Sequence, residues 1–409
     1  MHIPRVLYSF GSGWALHARI SRSFYMQKSD ADTIMMVAGE ASGELYGAKL
    51  AEALLQARPS LSIFGMGGKR MGEAGVEILY DVKESAVLGL LEATDRLLVI
   101  RSFFKGLLRA AAEKQPRAAI LIDYPDFNLR LAARLHRRKI PVIYYVSPQL
   151  WAWRKGRVKK IEKYVSKMLV ILPFEEPYYR RAGVRAEFIG HPLVDMVQSG
   201  QNKDAFLQSR GLKRDIPLIG LLPGSRRKEV QMILPAMVRA LSLLKTKLNY
   251  QAVIARAETV PEEEISRILQ KEGSVYPIIG DSTYTIMKHA DVLIVASGSA
   301  TLEAALFGTP MVVVYKTFYP TYWIGMLMIS VEHYCLANLV MGERVVPELI
   351  QKDMTPENIA GQLERILCHP EVQADIRLRL SKIRDLLGQE KVSERAAKAV
   401  LSLIDKQNT

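Results

Sequence analysis

A chain of 409 residues exceeds what one comfortable core supports and points to two domains with a further small element. Hydrophobic residues at 49% and a mean hydropathy of +0.04 fit a soluble globular protein, and no run reaches the roughly 18 apolar residues that cross a bilayer, so any membrane encounter is peripheral. Lys and Arg number 56 against 42 Asp and Glu, for a net charge of +14 that suits an anionic partner. Without a zinc, helix-turn-helix or RNP-like signature, membrane and phosphate readings rank ahead of nucleic acid, which is not expected as a partner. Cys335 and Cys368 lack metal-ligand spacing and fit a reducing compartment.

Residues 1–31 carry no acidic side chain before Asp30 and scatter Ser, Arg and aromatics. They read as an N-terminal extension, disordered or targeting, with Met26 as an internal start candidate and organelle targeting as the minor alternative. From Thr33 the order is strand, glycine-rich turn, helix: T-I-M-M-V-A, then G-E-A-S-G-E, then an apolar-periodic run to Leu55. Strands are expected next at Ser62–Gly65, Ala118–Ile122, Val142–Val146, Met168–Leu172 and Glu187–Ile189, separated by segments of helical length. After Gly190-His191-Pro192 the pattern pauses. It restarts at Pro217–Leu222, with strands at Ala252–Ile254, Pro277–Ile279, Val292–Ala296 and Met311–Tyr315. Alternation of this kind predicts an α/β fold of two Rossmann-like, doubly wound domains facing a cleft. The expected boundaries are 32–191 for the first domain, 192–215 for a linker and 216–351 for the second domain. C-terminal helices should fill 352–409, with D-M-T-P-E supplying the cap and first turn.

In the first half, the turn Gly39-Glu40-Ala41-Ser42-Gly43-Glu44 places glutamates where a dinucleotide site would want none. It reads as a glycine-lined wall against a sugar with Glu40 and Ser42 as polar contacts, or as a plain tight turn. Asp123 and Asp126 follow the strand ending at Ile122. Asp126 has a ready role as N-cap of the next helix, whereas Asp123, at a strand terminus over a cleft, is the general-base candidate. Ser147, Trp151, Trp153 and Arg154 follow the next strand, where paired aromatics either stack on sugars and acyl chains or pack in the core. From Val87 to Leu108 a helical projection gathers Leu97, Leu98, Phe104, Leu107 and Leu108 on one side and Arg101, Lys105 and Arg109 on another. That pattern fits an interfacial helix on an anionic membrane, with Leu97, Phe104 and Leu108 facing the lipid, and equally an ordinary helix packed on the sheet. The uncharged aromatic stretch Phe318–Ile329 is a second candidate patch or core.

In the second half, L-L-P-G-S-R-R-K-E at 221–229 ends a strand with backbone N–H groups, a hydroxyl and a guanidinium at a helix start, which is phosphate-binding chemistry. A-S-G-S-A-T-L-E-A at 296–304 repeats the design and sets Glu303 one helical turn in, within reach of a ribose diol. Gly224, Ser225, Arg226, Ser297, Gly298 and Glu303 together read as one nucleotide site. No D-x-D triplet sits beside a strand, so neither a metal nor another cofactor is expected.

Several uncommon stretches in one order resemble the lipid-A-disaccharide synthase family of inverting glycosyltransferases, over about nine-tenths of the chain and excluding the extension. They are V-A-G-E-A-S-G-E at 37–44, A-V-L-G-L-L-E at 86–92, I-D-Y-P-D-F-N at 122–128 and Y-V-S-P-Q-L-W-A-W-R at 145–154. L-P-F-E at 172–175, F-I-G-H-P at 188–192, L-L-P-G-S-R at 221–226, A-S-G-S-A-T-L-E at 296–303 and A-N-L-V-M-G at 337–342 continue the match. Glu44, where an aspartate is common, and Pro192, where a threonine can occur, are conservative departures. The resemblance implies a GT-B architecture and transfer of a sugar from UDP-2,3-diacylglucosamine to the 6-hydroxyl of 2,3-diacylglucosamine 1-phosphate. It implies functional roles for Asp123, Arg226, Glu303 and Asn338. It further implies a peripheral enzyme at the cytoplasmic face of the bacterial inner membrane, and homodimers through exchanged C-terminal segments. Two rival readings remain at this level: a nucleotide-sugar epimerase, which shares the architecture, and a non-catalytic lipid-binding module.

Overall fold

The computed structural model describes residues 32–82, 93–148, 155–198, 200–317 and 333–406. The extension, Trp151, Trp153, Arg154 and the stretch Phe318–Ile329 lie outside the described residues.

Two wholly parallel sheets organise the chain. The first has seven strands in the order β3-β2-β1-β4-β5-β6-β7: β1 Thr33–Ala38, β2 Ser62–Gly67, β3 Glu77–Asp81, β4 Ala118–Ile122, β5 Val142–Tyr145, β6 Lys167–Val170 and β7 Ala186–Phe188. The second has six in the order β10-β9-β8-β11-β12-β13: β8 Leu218–Leu222, β9 Gln251–Ala255, β10 Ile278–Ile279, β11 Val292–Ala296, β12 Met311–Tyr315 and β13 Glu348–Ile350. The central strands β1, β4, β8 and β11 read as continuous apolar runs because helices cover both faces of each sheet and bury alternate residues in opposite directions. In each sheet the strand order reverses beside its first strand, between β1 and β4 and between β8 and β11. These are the two crevices where such sheets accept ligands at their C-terminal ends.

β3 and β13 are strands that the expected list omits. Both are short sheet edges, and E-I-L-Y-D lacks a fully buried residue, so neither writes an apolar run. The stretch 192–215 also differs from a plain linker. It contains the helices Leu193–Met196 and Lys203–Ser209, the second capped by Asn202, whose side chain accepts from the Asp204 N–H at 2.8 Å. Phe206 and Leu207 are buried anchors that the polar composition around them obscures.

After β13 come the helices Pro356–Cys368, Pro370–Leu380, Ile383–Leu386 and Val392–Asp405. Thr355 caps the first by accepting from the Asn358 N–H, with Pro356 in the first turn as expected. The last helix crosses back and packs on the helix Ala41–Ala57 of the first domain. This return crossing is stapled to the outgoing one. The Asp195 carboxylate accepts from the N–H groups of Lys391 (2.7 Å) and Val392 (2.8 Å), the Arg395 guanidinium donates to the Ile189 carbonyl, and the His191 N–H donates to the Leu387 carbonyl.

Candidate active site

β1 and β4 end side by side, so the turns Gly39-Glu40 and Asp123-Tyr124 form one wall. Gly39 is required there: a Cβ on it would lie 2.2 Å from the Tyr124 ring. Asp123 and Tyr124 both have positive φ, 43° and 49°, as does Val146 at the end of β5, 62°. Backbone of this kind clusters at sites where geometry is imposed by the surroundings. The Asp123 carboxyl is pushed up from 3.8 to about 6, first by burial and then by the charge of Glu40, while a backbone hydrogen bond at Tyr124 partly opposes the rise. A carboxylate poised in this way holds a proton more readily than a solvated one and is matched to general-base work near neutral pH.

Asp126 is not the helix cap. The helix Pro125–Arg137 begins with Pro125, whose fixed φ and missing N–H suit the first position, and Tyr124 occupies the cap. Asp126 stands exposed in the first turn, ion-paired with Arg157. Glu40 and Ser42 are exposed at the mouth of the first helix. Ser147 is buried, its hydroxyl shared with the Tyr179 hydroxyl at 2.7 Å and donating to the Pro148 carbonyl, so it braces the loop after β5.

In the second crevice Gly224 takes φ 115°, and a Cβ there would come within 2.9 Å of Glu229 Oε2 and 3.7 Å of the Ala296 Cβ. The turn after β8 is thereby pressed against the end of β11. Ser225 and Arg226 are exposed at the start of the helix Arg227–Leu244, where free N–H groups and a guanidinium, held 3.4 Å from Glu229, present positive charge. Gly298 is exposed, and Ser297 donates its hydroxyl to the Tyr334 carbonyl at 3.0 Å. Glu303 sits in the helix Ser299–Leu306 with hydrogen bonds from Ser299 and Tyr284, and burial raises its pKa.

Asn338 faces inward. Its amide donates to the Val346 carbonyl and Glu348, its oxygen accepts from the Val345 and Val346 N–H groups, and it is fully buried. All its hydrogen-bonding capacity is thus held by its own loop, which it shapes from behind the crevice.

The two walls meet across Tyr46, from the helix Ala41–Ala57. Its hydroxyl pKa is raised by burial and then by Glu303, Tyr284 and Asp123, so it feels acidic groups of both domains. Its ring stands edge-on to His191, 6.1 Å away, and burial lowers the His191 pKa to about 3, keeping that ring neutral. Nothing in the sequence singles out Tyr46 or Tyr284 among its 17 tyrosines.

The helix Ala93–Lys114 corrects the lipid-facing assignment. Phe103, Leu107, Ala110 and Ala111 are buried on the sheet, and Phe104 and Leu108 are half-buried against the same core, Phe104 edge-on to Phe127 at 5.5 Å. The sheet lies under residues one position before those expected, which draws their neighbours partly inward. Leu98 is 65% exposed beside exposed Arg101, Lys105 and Arg109, while the side chain of Leu97 lies outside the described residues. Among the described residues no helix is long and apolar enough to cross a membrane.

A family model described as Lipid-A-disaccharide synthetase matches residues 34–403. The lipid-A-disaccharide synthase of Myxococcus xanthus (strain DK1622) is 44% identical over 372 residues, 91% of this chain and 97% of that protein. That of Syntrophus aciditrophicus (strain SB) is 43% identical over 377 residues, 92% and 98% of the two chains. Among solved structures, the calicheamicin glycosyltransferase CalG4 superposes with a TM-score of 0.57 at 16% identity, over 91% of this chain and 98% of that one. UDP-GlcNAc 2-epimerase from Neisseria meningitidis, bound to UDP-GlcNAc, does so with a TM-score of 0.60 at 12% identity, over 92% and 99%. A transferase and an epimerase superpose equally well, so these two likenesses establish the fold and leave the chemistry to the family match.

Proposed function

The chain belongs to the lipid-A-disaccharide synthetase family, and we propose that the cleft between its sheets joins two acylated glucosamines by an inverting displacement. It is a UDP-sugar glycosyltransferase of lipid A biosynthesis with a GT-B fold. 2,3-Diacylglucosamine passes from UDP-2,3-diacylglucosamine to the 6-hydroxyl of 2,3-diacylglucosamine 1-phosphate, giving a β-1,6-linked disaccharide 1-phosphate and UDP.

The observation that carries the reading is the pairing of unlike chemistry at the two crevices. On one side stands a half-buried carboxylate with a raised pKa, and on the other a glycine turn opening a helix with an arginine. An acceptor hydroxyl attacking the anomeric carbon must lose its proton, and Asp123 Oδ takes it as the C–O bond forms. The bond to UDP breaks on the opposite face, where Arg226, Ser225 and the helix N-terminus after Gly224 receive the diphosphate's negative charge. Glu303, steadied by Ser299 and Tyr284, accepts hydrogen bonds from the ribose diol. Positive charge built into the protein leaves no step that calls for a metal. Glu40, Ser42 and Asp126 line the acceptor mouth, and Trp151, Trp153 and Arg154 are the further acceptor contacts that the sequence motif supplies.

The acyl chains place the enzyme at a lipid surface. Basic side chains exposed on three adjoining helices, among them Arg101, Lys105, Arg109, Arg130, Arg134 and Lys159, suit the anionic cytoplasmic face of a bacterial inner membrane. A homodimer that exchanges this segment would make the packing of the last helix on Ala41–Ala57 between two copies in place of within one. Incubating the protein with both acylated sugars and weighing the product tests the reaction. A disaccharide 1-phosphate with equimolar UDP is expected; an epimerised UDP-sugar with the acceptor untouched would overturn it.

A further inference from the structure

We propose that Asn128 and Tyr144 are positioning residues that fix the peptide at Asp123 in its left-handed turn and so aim the Asp123 carboxylate into the cleft. The inference rests on the reading of Asp123 as the base. Two consecutive residues other than glycine at positive φ are unfavourable and persist only where the surroundings over-determine them. Here the constraint is explicit. The Asn128 amide donates to the carbonyls of Ile122 (3.1 Å) and Asp123 (2.8 Å), and the Tyr144 hydroxyl donates to the same Asp123 carbonyl at 2.5 Å. The Asp123 N–H is meanwhile tied to the Tyr145 carbonyl at 3.1 Å. With its carbonyl held by two core side chains and its N–H on β5, the Asp123 backbone is fixed on both sides, and its side chain stays partly exposed near Glu40.

Both anchors are fully buried. Asn128 leaves its Oδ1 buried without a partner, an unfavourable arrangement that is tolerated for what its two N–H groups accomplish. A packing role alone would be met by leucine at 128 and phenylalanine at 144. The groups facing the Asp123 carboxyl are Glu40 and Tyr46 from the first strand-helix unit, Tyr124 beside it and Tyr144 from β5. Arg157 and Asp126, paired with each other, also act on Tyr144. Releasing the carbonyl lets the carboxylate swing toward water and away from Glu40, which lowers its pKa.

Tyr144→Phe removes one hydroxyl and keeps the ring. Its kcat should fall by roughly tenfold, within the usual range for a misplaced general base, with KM and UDP affinity close to wild type. The acid limb of kcat/KM should move to lower pH, and Asn128→Ala should shift it in the same direction. In an Asp123→Asn background Tyr144→Phe should cost nothing more, because it acts through the missing carboxylate. Partial unfolding lowers the amplitude of the profile without moving the limb, so the limb separates positioning from mere stability. An unmoved limb in both variants, or a further loss on the Asp123→Asn background, would overturn the assignment. Near-normal turnover of Asp123→Asn itself would instead remove the base on which it rests.

Discussion

The raised pKa of Asp123 ties catalysis to stability with a definite sign. A carboxyl that titrates near 6 in the folded chain and near 3.8 in the unfolded one binds its proton more tightly when folded. The native state is therefore favoured by protonation, and that contribution, complete below the unfolded pKa, is lost as pH rises through about 6. Above that pH the enzyme holds a carboxylate where burial and Glu40 oppose it, at a cost on the order of 3 kcal/mol. Asp123→Asn removes the charge, and asparagine tolerates the left-handed backbone better than most residues. The variant should lose roughly 100-fold or more in kcat and, at pH 8, melt a few degrees higher than wild type. The difference in melting temperature should fall to about half its pH 8 size by pH 5 and vanish only below about pH 3.8. Wild-type kcat/KM should fall about tenfold per pH unit below 6. Differential scanning fluorimetry across pH, beside initial rates with both acylated sugars, gives each quantity. A variant that melts at or below wild type at pH 8, or a melting difference that does not change with pH, would refute the argument that this carboxylate is held against its solvation.

Arg226→Ala removes a charge-assisted contact to the diphosphate and should weaken UDP binding by about 1.5–3 kcal/mol in calorimetry. Unchanged affinity in both Arg226→Ala and Glu303→Ala would put the nucleotide elsewhere. Leu98→Ser should lower binding to vesicles of anionic phospholipid while leaving UDP affinity and melting temperature unchanged, since Leu98 is already exposed. Phe104→Ser and Leu108→Ser should instead lower the melting temperature, because those side chains pack on the core. High salt should release the wild type only in part, as each basic residue contributes about 1 kcal/mol that salt screens while apolar burial persists. Complete release by salt with no effect of Leu98→Ser would exclude an inserted apolar contact.

The two crevices were legible because they are local. A strand ending in a glycine turn and opening a helix writes itself into some ten consecutive residues, and both phosphate-type turns fall at the C-terminal ends of β8 and β11. The partners that adjust those turns are distant in sequence. Tyr144 reaches Asp123 only because β5 pairs with β4, and Tyr46 feels the charge of Glu303 only because the two domains approach each other. Pairing register and domain approach leave no mark at either position. The Asp126 cap fails for a related reason: an acidic residue after a strand suggests a cap, yet Pro125 takes the first helical position and moves the cap to Tyr124.

The motif residues themselves divide into two kinds, which no pattern distinguishes. Glu44 accepts from the Arg70 N–H at 2.9 Å and holds the short helix after β2. Glu175 accepts from the Ile171 and Leu172 N–H groups. Asn338 spends its amide on its own loop and on Glu348, which in turn accepts from the Tyr334 and Cys335 N–H groups. Each satisfies backbone donors that a ligand-bearing loop leaves unpaired when it departs from regular structure, and an unpaired buried donor is costly. Asp123 and Glu303 differ because they stay partly exposed, and Arg226 because it is exposed. A loop that presents one polar group to a substrate needs others to hold its backbone, and polar residues of both kinds therefore crowd into the same short stretches. Exposure separates them, and exposure is a property of the folded chain.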